Sequence, residues 1–211
     1  MTGSIPRLYV ILDAALIPSR EADVAAQLAE AGVPLVQYRN KKATSRELFD
    51  ISRAISGRLS GYAVRFIVND RPDIAVLAGA GGVHLGQEDL PVAEARKICG
   101  PDRWVGISTH NLAQVRAADQ TGADYLAVGP IFATATKENP ETVVGPEFIR
   151  RARELTRKPL VGIGGITVDR AREVYAAGAD CVCVARDLLE ASDLAARTQE
   201  YLALSREVFP K

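Results

Sequence analysis

Apolar residues fall along this chain in two alternating modes. Short β-branched runs of four to five residues are each followed by a longer, Ala-rich run with apolar residues at helical spacing. The short runs predict strands at Leu8–Leu12, Leu35–Tyr38, Arg65–Val68, Gly82–Leu85, Trp104–Ile107, Tyr125–Val128, Leu160–Ile163 and Cys181–Val184. The longer runs predict helices over Arg20–Ala31, Ser45–Leu59, Pro72–Ala78, Pro91–Ile98, Leu112–Gln120, Pro146–Leu155, Val168–Ala177 and Leu188–Leu204. The strand runs are continuously apolar, as suits a parallel sheet covered on both faces. Thr44-Ser45 with Glu47 marks a capped helix start, and Pro72, Pro91 and Pro146 fit first-turn positions, where a missing N–H costs little.

A second regularity sits between each helix and the next strand. Ala31-Gly32-Val33, Ala80-Gly81-Gly82, Thr121-Gly122-Ala123-Asp124 and Ala177-Gly178-Ala179-Asp180 all place Gly where a left-handed residue can end a helix. Eight strand–helix units fill 211 residues. Eight right-handed βαβ units close into a single-domain (β/α)8 TIM barrel spanning residues 1–211, near the short end of the size range for that fold. A doubly wound open sheet is the alternative, and it uses only five or six strands.

Composition and charge narrow the function. Lys+Arg and Asp+Glu both number 26, so the formal net charge is zero and a nucleic-acid partner, which wants a basic excess, is not expected. No apolar run reaches the length of a membrane span, and no membrane partner is expected. Met1–Arg7 lacks the charged start and apolar core of a signal peptide, so the chain reads as cytoplasmic. Three cysteines in apolar surroundings argue against a disulfide framework.

In such barrels the chemistry lies at the C-terminal ends of the strands. There Arg39, Lys41 and Lys137 aim at one mouth, and three converging cations repel one another unless an anion fills the space. Asp70 and Asp89 end neighbouring strands, a pair suited to Mg²⁺, which takes one or two carboxylates, keeps waters and bridges to substrate phosphates. Either residue could instead serve only the helix start ahead of Pro72 or Pro91. The long connection Gly129–Gly145, with Thr134, Thr136 and Lys137, reads as a flap that excludes water. Gly164-Gly165 after strand seven, with strand eight ending at Ala185, suggests a second, separate phosphate site. His84 reads as a core histidine. His110 reads equally as an acid–base group or as part of a helix start.

These segments together resemble the thiamine-phosphate synthase family. The motifs that carry the resemblance are Gln37-Tyr38-Arg39-Asn40-Lys41, Asn69-Asp70-Arg71, Gly82-Val83-His84-Leu85-Gly86-Gln87-Glu88-Asp89, Gly106-Ile107-Ser108, Gly129-Pro130-Ile131-Phe132 with Thr134-Ala135-Thr136-Lys137, and Gly162-Ile163-Gly164-Gly165-Ile166. The resemblance runs from about Leu8 to Leu202. It implies joining 4-amino-2-methyl-5-(diphosphooxymethyl)pyrimidine to 4-methyl-5-(2-phosphoethyl)thiazole, by a dissociative, carbocation-type displacement of pyrophosphate. It also implies roles. Asp70 and Asp89 would hold Mg²⁺. Gln37, Tyr38, Arg39, Asn40, Lys41, Asn69, Ser108 and Lys137 would bind the pyrimidine diphosphate, with Arg39, Lys41, Lys137 and Ser108 catalytic. Thr134, Ala135, Thr136, Gly165, Ala185 and Arg186 would bind the thiazole phosphate. Arg186 stands where the family usually has Ser. The resemblance is compatible with a homodimer.

The nearest alternative is the related thiazole tautomerase, in which a His resembles the position of Ser108 and parts of the diphosphate motifs are lost. A sugar-phosphate isomerase needs a positioned base, and neither strand one nor strand six is expected to end in one. A non-catalytic phosphate binder would explain Gly164-Gly165 but not the two Asp residues.

Overall fold

The computed structural model describes residues 5–134 and 142–210. The strands are β1 (Leu8–Asp13), β2 (Leu35–Arg39), β3 (Arg65–Asn69), β4 (Gly82–Leu85), β5 (Trp104–Thr109), β6 (Tyr125–Val128), β7 (Leu160–Ile163) and β8 (Cys181–Val184). They are all parallel and pair in sequence order, and β1 closes on β8 through Leu8↔Val182, Tyr9↔Cys183 and Val10↔Val184. Closure removes the open-sheet alternative and leaves no free strand edge.

The helices are α1 (Glu21–Glu30), α2 (Ser45–Leu59), α3 (Pro72–Leu77), α4 (Val92–Cys99), α5 (Leu112–Asp119), α6 (Gly145–Leu155), α7 (Val168–Ala176), α8 (Arg186–Leu189) and α9 (Leu194–Val208). Thr44 and Glu47 form the expected capping box of α2. The helix expected over Leu188–Leu204 is instead two. Asp193 breaks it, because its carboxylate accepts from Ala196 N and caps a new start at α9. The left-handed turn expected at Gly32 and Gly178 is present (φ 90° and 107°), whereas the turn before β4 uses Gly79 rather than Gly81.

Two cores result. Val10, Val36, Tyr38, Val68, Val83 and Leu126 face outward into the layer between strands and helices. Tyr9, Ile11, Leu35, Ile67, Trp104, Tyr125 and Cys183 fill the barrel interior. Adjacent residues of one strand therefore serve different cores. All three cysteines are buried.

The repeated Gly-Ala-Asp turns have a specific purpose at the N-terminal end of the barrel. Asp124 accepts from Val105 N at 2.7 Å with its carboxylate and donates its own N–H to Val105 O at 2.8 Å. Asp180 does the same to Leu160, at 2.8 Å in both directions. Each aspartate thus clasps the start of the preceding strand and satisfies a backbone N–H at the end of its ladder. Asp124 is also paired with Arg96 Nη2 at 2.5 Å, half-buried on both sides. Asp124→Ala takes the counter-charge from Arg96, which keeps its bonds to the Gly100, Arg103 and Gly122 carbonyls, and strands the Val105 N–H. It is expected to lower unfolding free energy by about 2 kcal/mol in denaturant titration, with the m-value unchanged. A loss under about 0.5 kcal/mol would show that water replaces the clasp without penalty.

Candidate functional site

A cavity of ≈ 640 Å³ opens at the C-terminal ends of the strands. Its floor and wall are apolar, from Ile11, Pro130, Ile163 and Cys183, and its polar lining includes Asp13, Arg39, Ser108 and His110. The strand parity that fills the interior also decides which strand-end side chains reach this mouth. On β2, Gln37 and Arg39 point inward, while Tyr38 between them is fully buried in the helix-facing core.

Arg39 does not stand alone. Its Nη1 donates to Asp13 Oδ2 at 2.6 Å, with the two side chains 16% and 3% exposed. Asp13 Oδ1 accepts from Ala15 N at 3.0 Å, so the carboxylate is held from both sides. Sequence reading missed Asp13. It ended the first strand at Leu12 and expected no acidic group there, whereas β1 runs one residue further and places a buried carboxylate in the cavity. The only sequence signal was a lone Asp directly after an apolar run.

The second cluster stands on the adjoining rim. Lys41 Nζ is ion-paired with Asp70 Oδ2. Asp70 and Asp89 are close enough to hydrogen bond to one another, and Asp89 Oδ2 accepts from Gly86 N at 2.7 Å. Burial, first, and then the Asp89 carboxylate push Asp70 up to about 6, with Lys41 pulling the other way. Asp70 also sits at φ 64°, in the left-handed region, where Asp and Asn are the tolerated non-glycine residues. Its own N–H is fastened to His84 O at 2.7 Å. A left-handed backbone and a raised acid at one strand end are features that gather at working sites.

The other predicted residues separate into groups. Ser108, Gly165, Thr134, Ala185 and Arg186 line the cavity. Gln37 is buried beneath it, and Asn69 ends β3 beside Asp70. Tyr38 is not brought to the cavity, and its hydroxyl accepts from Asn40 Nδ2 at 3.2 Å. Asn40 braces its own loop, its Oδ1 accepting from Lys42 N and Ala43 N. Ala135, Thr136 and Lys137 lie outside the described residues. Arg186 pairs with Glu190 one turn along. His110 lines the cavity, and its Nδ1 meets Gly129 O at 2.6 Å. A carbonyl only accepts, so a hydrogen is on Nδ1.

Gly164 and Gly165 have a reason beyond openness. Their φ angles are 100° and 61°, and a Cβ would stand 2.5 Å from Pro130 Cβ at the first and 2.3 Å from Ala133 O at the second. The loop after β7 can therefore lie flush against the segment after β6, which hydrogen bonds to it through Ile131 N→Ile163 O and Phe132 N→Gly164 O. Arg170, also missed, donates to Gly165 O at 2.8 Å and lies over the Phe132 ring at the edge of the cavity.

Two variants probe the charge pairs. Asp13→Asn leaves the Arg39 guanidinium without its counter-charge and is expected to cost about 2 kcal/mol of stability by denaturant unfolding, less than for a fully buried pair because Arg39 keeps some solvent. No change in midpoint would mean that Asp13 does not hold Arg39. Asp70→Asn keeps the left-handed residue and removes one of two crowded carboxylates. A folded-state acid raised to about 6 is costly when ionised, so the cost is fully present above that value and gone below its unfolded value. The metal-free variant is therefore expected to be more stable than the parent by about 1 kcal/mol at pH 7, with the gain vanishing toward pH 4, as read by thermal unfolding. A variant less stable at pH 7 would mean that the Lys41 pair outweighs the crowding.

Known proteins resemble this chain over most of its length. A model of the thiamine monophosphate synthase family matches residues 8–188. The chain is 46% identical over 205 residues to thiamine-phosphate synthase of Koribacter versatilis (95% of this chain, 96% of that one). It is 39% identical over 202 residues to the protein of the same name from Shouchella clausii (95% and 97%). Among solved structures, thiamine phosphate pyrophosphorylase from Pyrococcus furiosus superposes with a TM-score of 0.86 at 35% identity, covering 96% of each chain. With its closed eight-stranded barrel and its motifs at the strand ends, the chain belongs to the thiamine-phosphate synthase family.

Proposed function

We propose that this transferase joins 4-amino-2-methyl-5-(diphosphooxymethyl)pyrimidine to 4-methyl-5-(2-phosphoethyl)thiazole, releasing pyrophosphate and forming thiamine phosphate. The observation that carries the reading is a cavity at the strand ends with Arg39 in its lining, beside the Lys41, Asp70 and Asp89 cluster at the neighbouring strand ends. On one side stand Arg39 and, on the adjoining rim, Lys41 with Asp70 and Asp89. On the other stand Gly165, Ala185, Arg186 and Thr134, where the Glu190 carboxylate is paired to Arg186. A leaving diphosphate suits the first and a phosphate that only anchors suits the second. Ser108 with both aspartates supports a synthase over the ring-rearranging relative.

The carboxylates fit Mg²⁺. Asp70 and Asp89 are crowded, and Asp70 is raised to about 6 by burial and by its neighbour, a cost that a divalent cation would relieve. Two carboxylates are enough for an ion that completes its shell with water and substrate oxygens. When bound, Mg²⁺ neutralises charge on the diphosphate oxygens.

The chain's own residues do the rest. Arg39, steadied by Asp13, presents a planar fork to phosphate oxygens. Lys41 turns from Asp70 to the diphosphate as charge grows on it. The bond between the pyrimidine methylene carbon and the diphosphate oxygen breaks, the thiazole nitrogen supplies the electron pair of the new C–N bond, and the apolar cavity keeps water from the cationic carbon. No side-chain nucleophile is needed.

The test mixes the folded protein, both substrates and Mg²⁺, and follows thiamine phosphate and pyrophosphate. Equal amounts of the two products are expected, and absence of both refutes the reading. Asp70→Asn is expected to weaken turnover and the Mg²⁺ response together; an unaltered Mg²⁺ response would remove Asp70 from the metal site. Arg186→Ser is expected to change KM for the thiazole phosphate more than KM for the pyrimidine, and the reverse would mean that the two regions are exchanged.

A further inference from the structure

Beneath the cavity, five polar side chains from five strands form a hydrogen-bonded chain across the barrel interior. Gln37 Nε2 donates to Tyr9 Oη at 2.5 Å, and Tyr9 Oη meets Tyr125 Oη at 3.1 Å. Tyr125 Oη meets His84 Nδ1 at 3.0 Å, and His84 Nε2 meets Ser108 Oγ at 2.9 Å. All five residues are buried. The path exists because Gly106 has no side chain: a Cβ there would lie 2.1 Å from Tyr125 Cζ. The Tyr125 ring occupies that space and stacks on His84 with ring centroids 5.5 Å apart.

The chain has a direction, set by counting hydrogens. The Gln37 amide N–H points at Tyr9, so the Tyr9 oxygen accepts there and its single hydrogen goes to Tyr125. Tyr125 then sends its own hydrogen to His84 Nδ1, which must be a bare acceptor. A protonated Nδ1 would set two donors against each other in a buried place, at the cost of an unmade bond. Burial pushes both tyrosines well above the ordinary phenol range, so each keeps its one hydrogen. Nε2–H of a neutral His84 accordingly donates to Ser108 Oγ, and the Ser108 hydrogen is left to point into the cavity that Ser108 lines.

We propose that Tyr9, Tyr125 and His84 are positioning residues that set Ser108 as a hydrogen-bond donor toward an acceptor atom of the pyrimidine diphosphate. The proposal rests on the reading of the substrate given above. It assigns His84 a task that its appearance as a core histidine concealed.

Two measurements test it, one independent of activity. The chain has two histidines, and nitrogen-15 NMR of the ring nitrogens in the substrate-free protein reports the tautomer of each. His84, assigned by its loss in His84→Gln, is expected as the Nε2–H tautomer, and His110 as the Nδ1–H tautomer. An Nδ1–H tautomer or an imidazolium at His84 overturns the direction of the chain. The second measurement is a double-mutant cycle in kcat/KM for the pyrimidine substrate. Tyr125→Phe, which keeps the ring, is expected to lower it about tenfold, or about 1.4 kcal/mol, with KM for the thiazole phosphate unchanged. Combined with Ser108→Ala it should lower activity no further than Ser108→Ala alone. Losses that multiply would mean that Tyr125 acts on the fold and not through Ser108. Should the parent protein condense nothing, the substrate reading falls while the tautomer result still decides the direction of the chain.

Discussion

A parallel strand sends alternate side chains to opposite faces, and in a closed barrel the two faces lead to different solvents: one to the packed helices, the other to the interior and its mouth. This constraint governs the molecule. Along β2 it gives Val36 and Tyr38 to the helical layer, Leu35 and Gln37 to the interior and Arg39 to the cavity. Along β1 it gives Tyr9 and Ile11 to the interior and Asp13 to the mouth, directly beside Arg39 in the register Asp13↔Arg39. The ion pair is thus a by-product of strand pairing. No loop has to be ordered to bring its partners together.

The electrostatics follow the same economy. Converging cations were expected to repel until an anion arrived. Of those three cations, the two among the described residues each meet a carboxylate: Arg39 with Asp13 and Lys41 with Asp70. The pairs differ in character. Asp13 is buried and doubly held, so Arg39 is fixed in place. Lys41 is half-exposed and its partner is already crowded by Asp89, so that pair is poised to exchange.

Most of the fold was legible because buried parallel strands are short, continuous apolar runs, and Gly and Pro punctuate the helices. Four of the eight strands, β1, β2, β3 and β5, nonetheless run one or two residues past their expected ends; β1 illustrates why, since Asp13 is polar yet still laddered. The last helix was misread because Asp193 lies in a sequence of otherwise good helix formers, and only its capping bond reveals the break. At the site, contiguous motifs carried too much: Tyr38 and Asn40 travel with Gln37 and Arg39 in sequence but turn away in space. The opposite failure hid the buried polar chain, whose members Tyr9 and Tyr125 are 116 residues apart and look like ordinary packing aromatics.

The aspartate clasps at the starts of β5 and β7 have a consequence for how such a molecule changes over generations. They fasten strands at the end of the barrel remote from the cavity, using turns that never meet a ligand. Residues at the rim can then be exchanged without loosening these ladders. The barrel keeps its anchorage and its chemistry on separate ledges, and substitutions on one leave the other to be tried again.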